Sequence, residues 1–140
     1  MSTIINRRDL DFLLYEFLDA EGLCDREMFS DHDRAGFDAV LDLAEQIAEE
    51  KFAPIAAKLD EEEPEFDGAN VKLIPELKEA HEAYIEAGFM GAGVSFEEGG
   101  MQLPLTIVQA VRAIFSSANI SALAYLGLTN SAANMLETFG

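Results

Sequence analysis

Asp33-Arg-Ala-Gly-Phe-Asp-Ala-Val-Leu-Asp-Leu-Ala-Glu-Gln-Ile-Ala-Glu-Glu-Lys-Phe-Ala-Pro-Ile-Ala-Ala-Lys-Leu59 is the most clearly periodic stretch of this chain. Phe37, Val40, Leu41, Ala44, Ile47, Ala48, Phe52, Ile55 and Leu59 recur at helical spacing and form one stripe. Asp33 stands where an N-cap belongs. Pro54 falls inside the stripe, and proline lacks the N–H that would bond back four residues. The stripe resumes in phase after Pro54, which predicts a kinked helix rather than its end.

Working outward, residues 7–19 form a helix by the same test. Asn6 is its N-cap, Asp9 sits near the positive end of the helix dipole, and Leu10, Leu13, Leu14, Phe17 and Leu18 share a face. Gly22 ends it, and a short turn or helix follows at 26–29. On the other side, Glu61-Glu-Glu-Pro-Glu-Phe-Asp-Gly68 reads as a loop, through its charge repulsion, Pro64 and Gly68. Consecutive carboxylates do not converge on one ion without a turn scaffold, and EF-hand spacing is absent, so no metal site is expected there. A helix starts near Ile74 with Pro75 in its first turn and Gly88 as its stop. Its apolar face carries Ile74, Leu77, His81, Tyr84 and Ile85, so His81 reads as a packed or hydrogen-bonded histidine.

Gly88, Gly91, Gly93, Gly99 and Gly100 make 88–103 the densest glycine region. Their spacing matches neither the P-loop nor the dinucleotide fingerprint, and no Lys follows. A connector in which backbones approach closely is the expectation. Pro104 opens a fifth helix to about Ser117, and Asn119 caps a sixth over 120–139. Both are apolar nearly all round, so they need burial on more than one side. The fold class is all-α, an antiparallel helical bundle of about five or six helices, with 1–30 as an extra N-terminal segment and 31–140 as the bundle.

Length and composition agree with a single domain. A chain of 140 residues buries roughly 68–70% of its unfolded surface. A net charge of −18 repels phosphates and anionic membrane surfaces, which argues against nucleic-acid partners. Residues 1–100 hold 26 of the 27 acids and eight of the nine basic residues; only Arg112 and Glu137 are charged beyond them. The apolar run near 113–128 is interrupted by Ser116, Ser117, Asn119 and Ser121 and lacks basic anchors, so it reads as buried helix, with no membrane span. The first residues show no secretory-signal pattern. Cys24 is the only cysteine, which suits a reducing cytoplasm, and Asp25 beside it raises rather than lowers a thiol pKa. The location expected is cytoplasmic.

Glu86-Ala-Gly-Phe-Met-Gly-Ala-Gly-Val-Ser-Phe-Glu-Glu-Gly-Gly-Met-Gln-Leu-Pro104 carries a family resemblance. It is similar to the acyl-CoA dehydrogenase pattern of a helix ending in a Gly-aromatic pair, a linker, then Pro-Glu-Glu-Tyr-Gly-Gly-x-Gly-Leu. Glu97, Gly99-Gly100 and Leu103 match, whereas Ser95 replaces the proline and Glu98 the aromatic. Two long apolar helices follow at the family's spacing. Phe115-Ser-Ser-Ala-Asn119, Tyr125-Leu-Gly-Leu-Thr129 and the early segment 8–19 resemble the branch that handles long or bulky acyl groups. The family's fifth helix usually carries a Glu near its end, where Ala113 and Ile114 stand here.

The resemblance implies the N-terminal helical domain of an FAD-dependent acyl-CoA dehydrogenase. Such enzymes add a β-domain and a C-terminal helical domain, and those, with a neighbouring subunit, hold the flavin and the carboxylate base. Nothing in 1–140 corresponds to the base or to the flavin-binding segments. No catalytic, cofactor or metal residue is therefore expected on this chain, and FAD belongs to the complete, homo-oligomeric enzyme. Counted without gaps from Gly99-Gly100, the positions matching the wall of the acyl-CoA pocket are Leu123, Ala124, Gly127 and Ser131. Gly127 stands where many relatives carry a large residue, so either a groove there lengthens the acyl channel or the glycine permits close helix packing.

Three readings follow. The chain is a dehydrogenase domain, a split subunit completing a flavoenzyme in trans, or a free-standing acidic helical module that binds a partner protein. The first two expect apolar surface left over on 104–139, to be covered by the missing β and C-terminal domains or a complementary subunit; the third expects a covered bundle.

Overall fold

The structure, a computed structural model, describes residues 4–140. Among the described residues its regular elements are all helical apart from one small hairpin. Helix α1 (Arg7–Asp11) begins at Asn6, whose side chain accepts from the Asp9 N–H. It runs on as a π-turn (Phe12–Phe17), closed by the Leu18 N–H on the Leu13 carbonyl, five residues back. The wider turn changes the phase of the apolar face. Leu10 and Leu14 are buried, but Leu13, Phe17 and Leu18 are exposed, contrary to a face read at regular α spacing. Short 3₁₀ turns (Ala20–Asp25 and Glu27–Phe29) complete the segment.

Helix α2 (Arg34–Ile47) is capped by Asp33, which accepts the Gly36 N–H at 2.7 Å. A π-turn (Ala48–Phe52) and a 3₁₀ turn (Ala53–Ile55) carry it past Pro54 into α3 (Ala56–Glu61). This is the kink the proline predicts. The stripe stays in phase across it: Phe37, Leu41, Ala44, Ala48, Phe52 and Ile55 are all buried.

The acidic stretch is more ordered than a loop. Strands β1 (Glu65–Phe66) and β2 (Val71–Lys72) pair antiparallel, Glu65 opposite Lys72. The turn between them is built by Asp67, whose Oδ1 accepts the N–H groups of Ala69 and Asn70 at 3.0 and 2.8 Å. Gly68 supplies the positive φ, +98°. These strands are exposed and only two residues long, so no alternation of apolar and polar side chains announces them.

Helix α4 (Pro75–Glu86) stops at Gly88, φ +81°. Its buried side is Leu77, Ala80 and Tyr84, whereas Ile85 is exposed. Helix α5 (Leu105–Phe139) is broken at Asn119, where the backbone is extended (φ −166°, ψ 93°). The break separates a first arm, 105–118, from a second, 120–139. Phe115 of the first arm centres the core. Its ring meets Phe52 and Tyr84 edge-on at 4.8 Å each, with Phe89 at 5.5 Å. Edge-to-face aromatic pairs of this kind add about 0.5–1.5 kcal/mol beyond the area they bury. The core thus lies where the kinked helix, α4 and α5 cross.

Candidate functional site

The second arm of α5 is positioned by one buried side chain. Asn119 Oδ1 accepts the Ala122 N–H at 3.0 Å, which caps the arm. Its Nδ2 donates to the Phe52 carbonyl at 3.1 Å. That carbonyl is available because the Ala56 N–H, its usual helical partner, bonds Ala53 instead at the proline kink. The kink in one helix and the break in the other are therefore locked together through both ends of one amide. His81 adds a second tie, its Nε2 2.8 Å from the Ala122 carbonyl. A carbonyl only accepts, so Nε2 carries the hydrogen. His81 is thus the hydrogen-bonded histidine that its place on α4 suggests.

Along this arm, Leu123 is buried in the core, Ala124 and Ser131 are exposed, and Gly127 is half-buried. The Ser131 hydroxyl donates back to the Gly127 carbonyl at 2.9 Å. A Cβ at Gly127 would meet nothing within 4 Å. No neighbour among the described residues therefore requires a glycine there.

A cleft of about 400 Å³ lies between the glycine-rich loop and the two arms of α5. Its apolar wall includes Tyr84, Phe89, Leu103, Val108 and Val111. The second arm contributes Asn130, Asn134 and Glu137, and the first arm Arg112. None of Leu123, Ala124, Gly127 or Ser131 lines it. Asn134 is nevertheless two helical turns beyond Gly127, on the same side of the arm, so the cleft adjoins the Gly127 face. Arg112 and Glu137, the only charged residues after residue 100, both line this cleft. Two lone charges in an apolar segment were the signal by which sequence reasoning could have found it. Burial raises the Tyr84 phenol pKa, and nearby Arg112 opposes that shift.

The glycine-rich loop is a closed connector. Met101, Gln102 and Leu103 donate their N–H groups to Gly91, Val94 and Ala92 at 2.9, 2.8 and 2.9 Å. Gly99 has φ +84°, and any side chain at Gly100 would collide with the Val94 backbone. Cys24 is shifted toward the thiol by burial first, then by Asp33, Glu21 and Asp25, so it is a poor nucleophile. Among the described residues, no three His, Cys, Asp or Glu side chains are grouped to hold a metal ion.

Residues 36–140, three quarters of the chain, match the acyl-CoA dehydrogenase N-terminal domain. The chain belongs to the acyl-CoA dehydrogenase family. No curated protein matches it significantly. Acyl-CoA dehydrogenases are generally FAD-dependent. FAD carries an anionic pyrophosphate, which needs free backbone amides or basic side chains. Here the amides of Gly99 and Gly100 go to Phe96 and Ser95, the next three close the loop, and Arg112 is the one basic residue on the cleft among those described. These residues do not fit the dinucleotide. By length and composition α5 could cross a membrane, but 56% of its most apolar window is buried within this chain, as in a core helix.

Proposed function

We propose that this chain is the N-terminal helical part of an FAD-dependent acyl-CoA dehydrogenase, which forms a double bond between the α and β carbons of an acyl-CoA thioester. Its share of the work is to wall the acyl pocket and to hold the parts that bind flavin. It carries no catalytic residue of its own. The supporting observation is the second arm of α5. One side of it adjoins an apolar cleft, while Leu128, Met135, Leu136 and Phe139 stand 64–85% exposed. A row of large apolar side chains left in water is a surface for another protein part. The face with Gly127 at its middle suits a slim apolar chain, since a chain can lie where no side chain stands. Leu123, Ala124, Gly127 and Ser131 are the wall positions in this reading.

The test is light scattering on the full chain, with FAD and then hexadecanoyl-CoA added, and flavin absorbance followed after gel filtration. Self-association without retained flavin is expected. A clean monomer that responds to neither ligand points instead to an acidic module for protein binding. Retained flavin sinks the proposal, because these residues would then make a cofactor site by themselves.

A further inference from the structure

The segment before residue 36 lies outside the matched domain, yet two of its residues, Met28 and Phe29, line the cleft. It is fastened at two separate places. On α2, Arg7 pairs with Asp42 at 2.7 Å and Glu45 at 3.4 Å, and the Tyr15 hydroxyl donates to Asp38 at 2.7 Å. Arg34 lies 4.1 Å over the Tyr15 ring, and Leu10, Leu14 and Ala20 are buried beneath. These contacts dock the start of the segment. They are far in sequence from Met28 and do not by themselves place it.

Gln102 places it. Its amide Nε2 donates to the Met28 carbonyl at 2.6 Å, and its Oε1 accepts the Phe96 N–H at 3.1 Å. The two partners leave only one orientation of the amide. The Gln102 carbonyl is 3.0 Å from His32 Nε2. His32 in turn meets the Phe37 and Phe96 rings in tilted contacts, with centroids 5.7 and 5.6 Å away. Gln102 has φ +50°, a conformation that costs a non-glycine residue about 1 kcal/mol or more and persists where surrounding contacts enforce it. So one strained residue of the glycine-rich loop, itself on the cleft wall, ties that wall to the backbone at Met28.

We propose that this N-terminal segment is the adjustable wall of the cleft: Met28 and Phe29 limit the length of the apolar chain it accepts, and Gln102 is the positioning residue that holds them there. The proposal rests on the reading of this face as an acyl-binding wall. Methionine and phenylalanine are apolar and large, and Met28 is mostly exposed, so it can move without unpacking the core. Met28 both lines the cleft and is 63% exposed, so shortening it opens the cleft toward solvent.

The test uses methyl-labelled methionine in the full chain, titrated with straight-chain acyl-CoAs from octanoyl to hexadecanoyl. Met28 and Met90 line the cleft, and Met135 does not, so the protein carries its own control. Binding shifts Met28 and Met90 together and leaves Met135 in place. Met28→Ala, which removes three heavy atoms, moves the affinity ratio of hexadecanoyl-CoA to octanoyl-CoA by at least about ten-fold toward the longer chain, the low end of what even one methylene carries in an apolar pocket. Gln102→Ala sharpens the Met28 methyl line as the residue is released, and moves the ratio the same way, while Gln102→Glu, which loses the donor, imitates it. Should Met90 respond and Met28 not, or should the ratio stay put in Met28→Ala, the segment is not the wall and the acyl reading survives. Should neither methyl respond at any chain length, the acyl reading fails and this proposal with it.

Discussion

At the scale of single residues, Asn119 is the one buried polar residue among those described. It ends one arm of α5, caps the next by accepting the Ala122 N–H, and donates across to the Phe52 carbonyl of the kinked helix. Asn119→Ala removes a cap and leaves the Phe52 carbonyl buried without its partner. The expected loss is about 2–3 kcal/mol, read as a lower urea midpoint. Asn119→Asp keeps the capping acceptor but sets a buried carboxylate against the Phe52 carbonyl, so at neutral pH its midpoint should fall at least as far as that of Asn119→Ala. Glycines give a second contrast. Gly100→Ala drives a methyl into the Val94 backbone and should lower Tm markedly. Gly127→Ala adds a methyl into open space inside a helix and should raise stability by about 0.5–1 kcal/mol. A matched fall in both variants would show that Gly127 is packed in solution.

At the scale of elements, the β1–β2 hairpin is held by a charge. The N–H groups of Asn70 and then Ala69 stabilise the ionised Asp67 carboxylate and lower its pKa below the usual 3.8. A group whose folded pKa is depressed contributes stability that is present above its unfolded pKa and is lost as pH falls through the folded one. The hairpin should therefore persist at neutral pH and open only on strong acidification. Amide shifts of Ala69 and Asn70, followed down the pH scale, check this. Titration of these amides near neutral pH would contradict it. Asp67→Ala should abolish their shifts at every pH.

For the whole molecule, charge and apolar surface oppose each other. A net −18 repels copies, while Leu136 and Phe139 on the second arm of α5 leave exposed apolar surface on which copies can meet. Salt screens the repulsion over a Debye length of about 8–10 Å and leaves apolar attraction intact. Added salt should raise the mass seen by light scattering, and Leu136→Ser with Phe139→Ser should return it toward the monomer with little loss of Tm, since neither side chain is in the core. An equal mass in both proteins at every salt concentration would mean that this arm is not the adhesive surface.

The helices, the caps at Asn6, Asp33 and Asn119, the kink at Pro54 and the stop at Gly88 are all legible in the sequence. Each rests on a local rule: a periodicity, a missing N–H, a side chain within reach of its own backbone. So does the family, since the Gly99-Gly100 turn and the two apolar helices after it keep their order and spacing. What the sequence by itself could not decide is every outcome set by contacts distant along the chain. The π-turn at 12–17 moves Leu13 and Phe17 out of the core because a wider turn changes phase, and no residue type marks it. Met28, Gln102, Arg112 and Asn134 come from four separate segments, and only the folded chain brings them to one cleft. Local chemistry determines which elements form; the cleft exists because tertiary packing fixes where those elements cross.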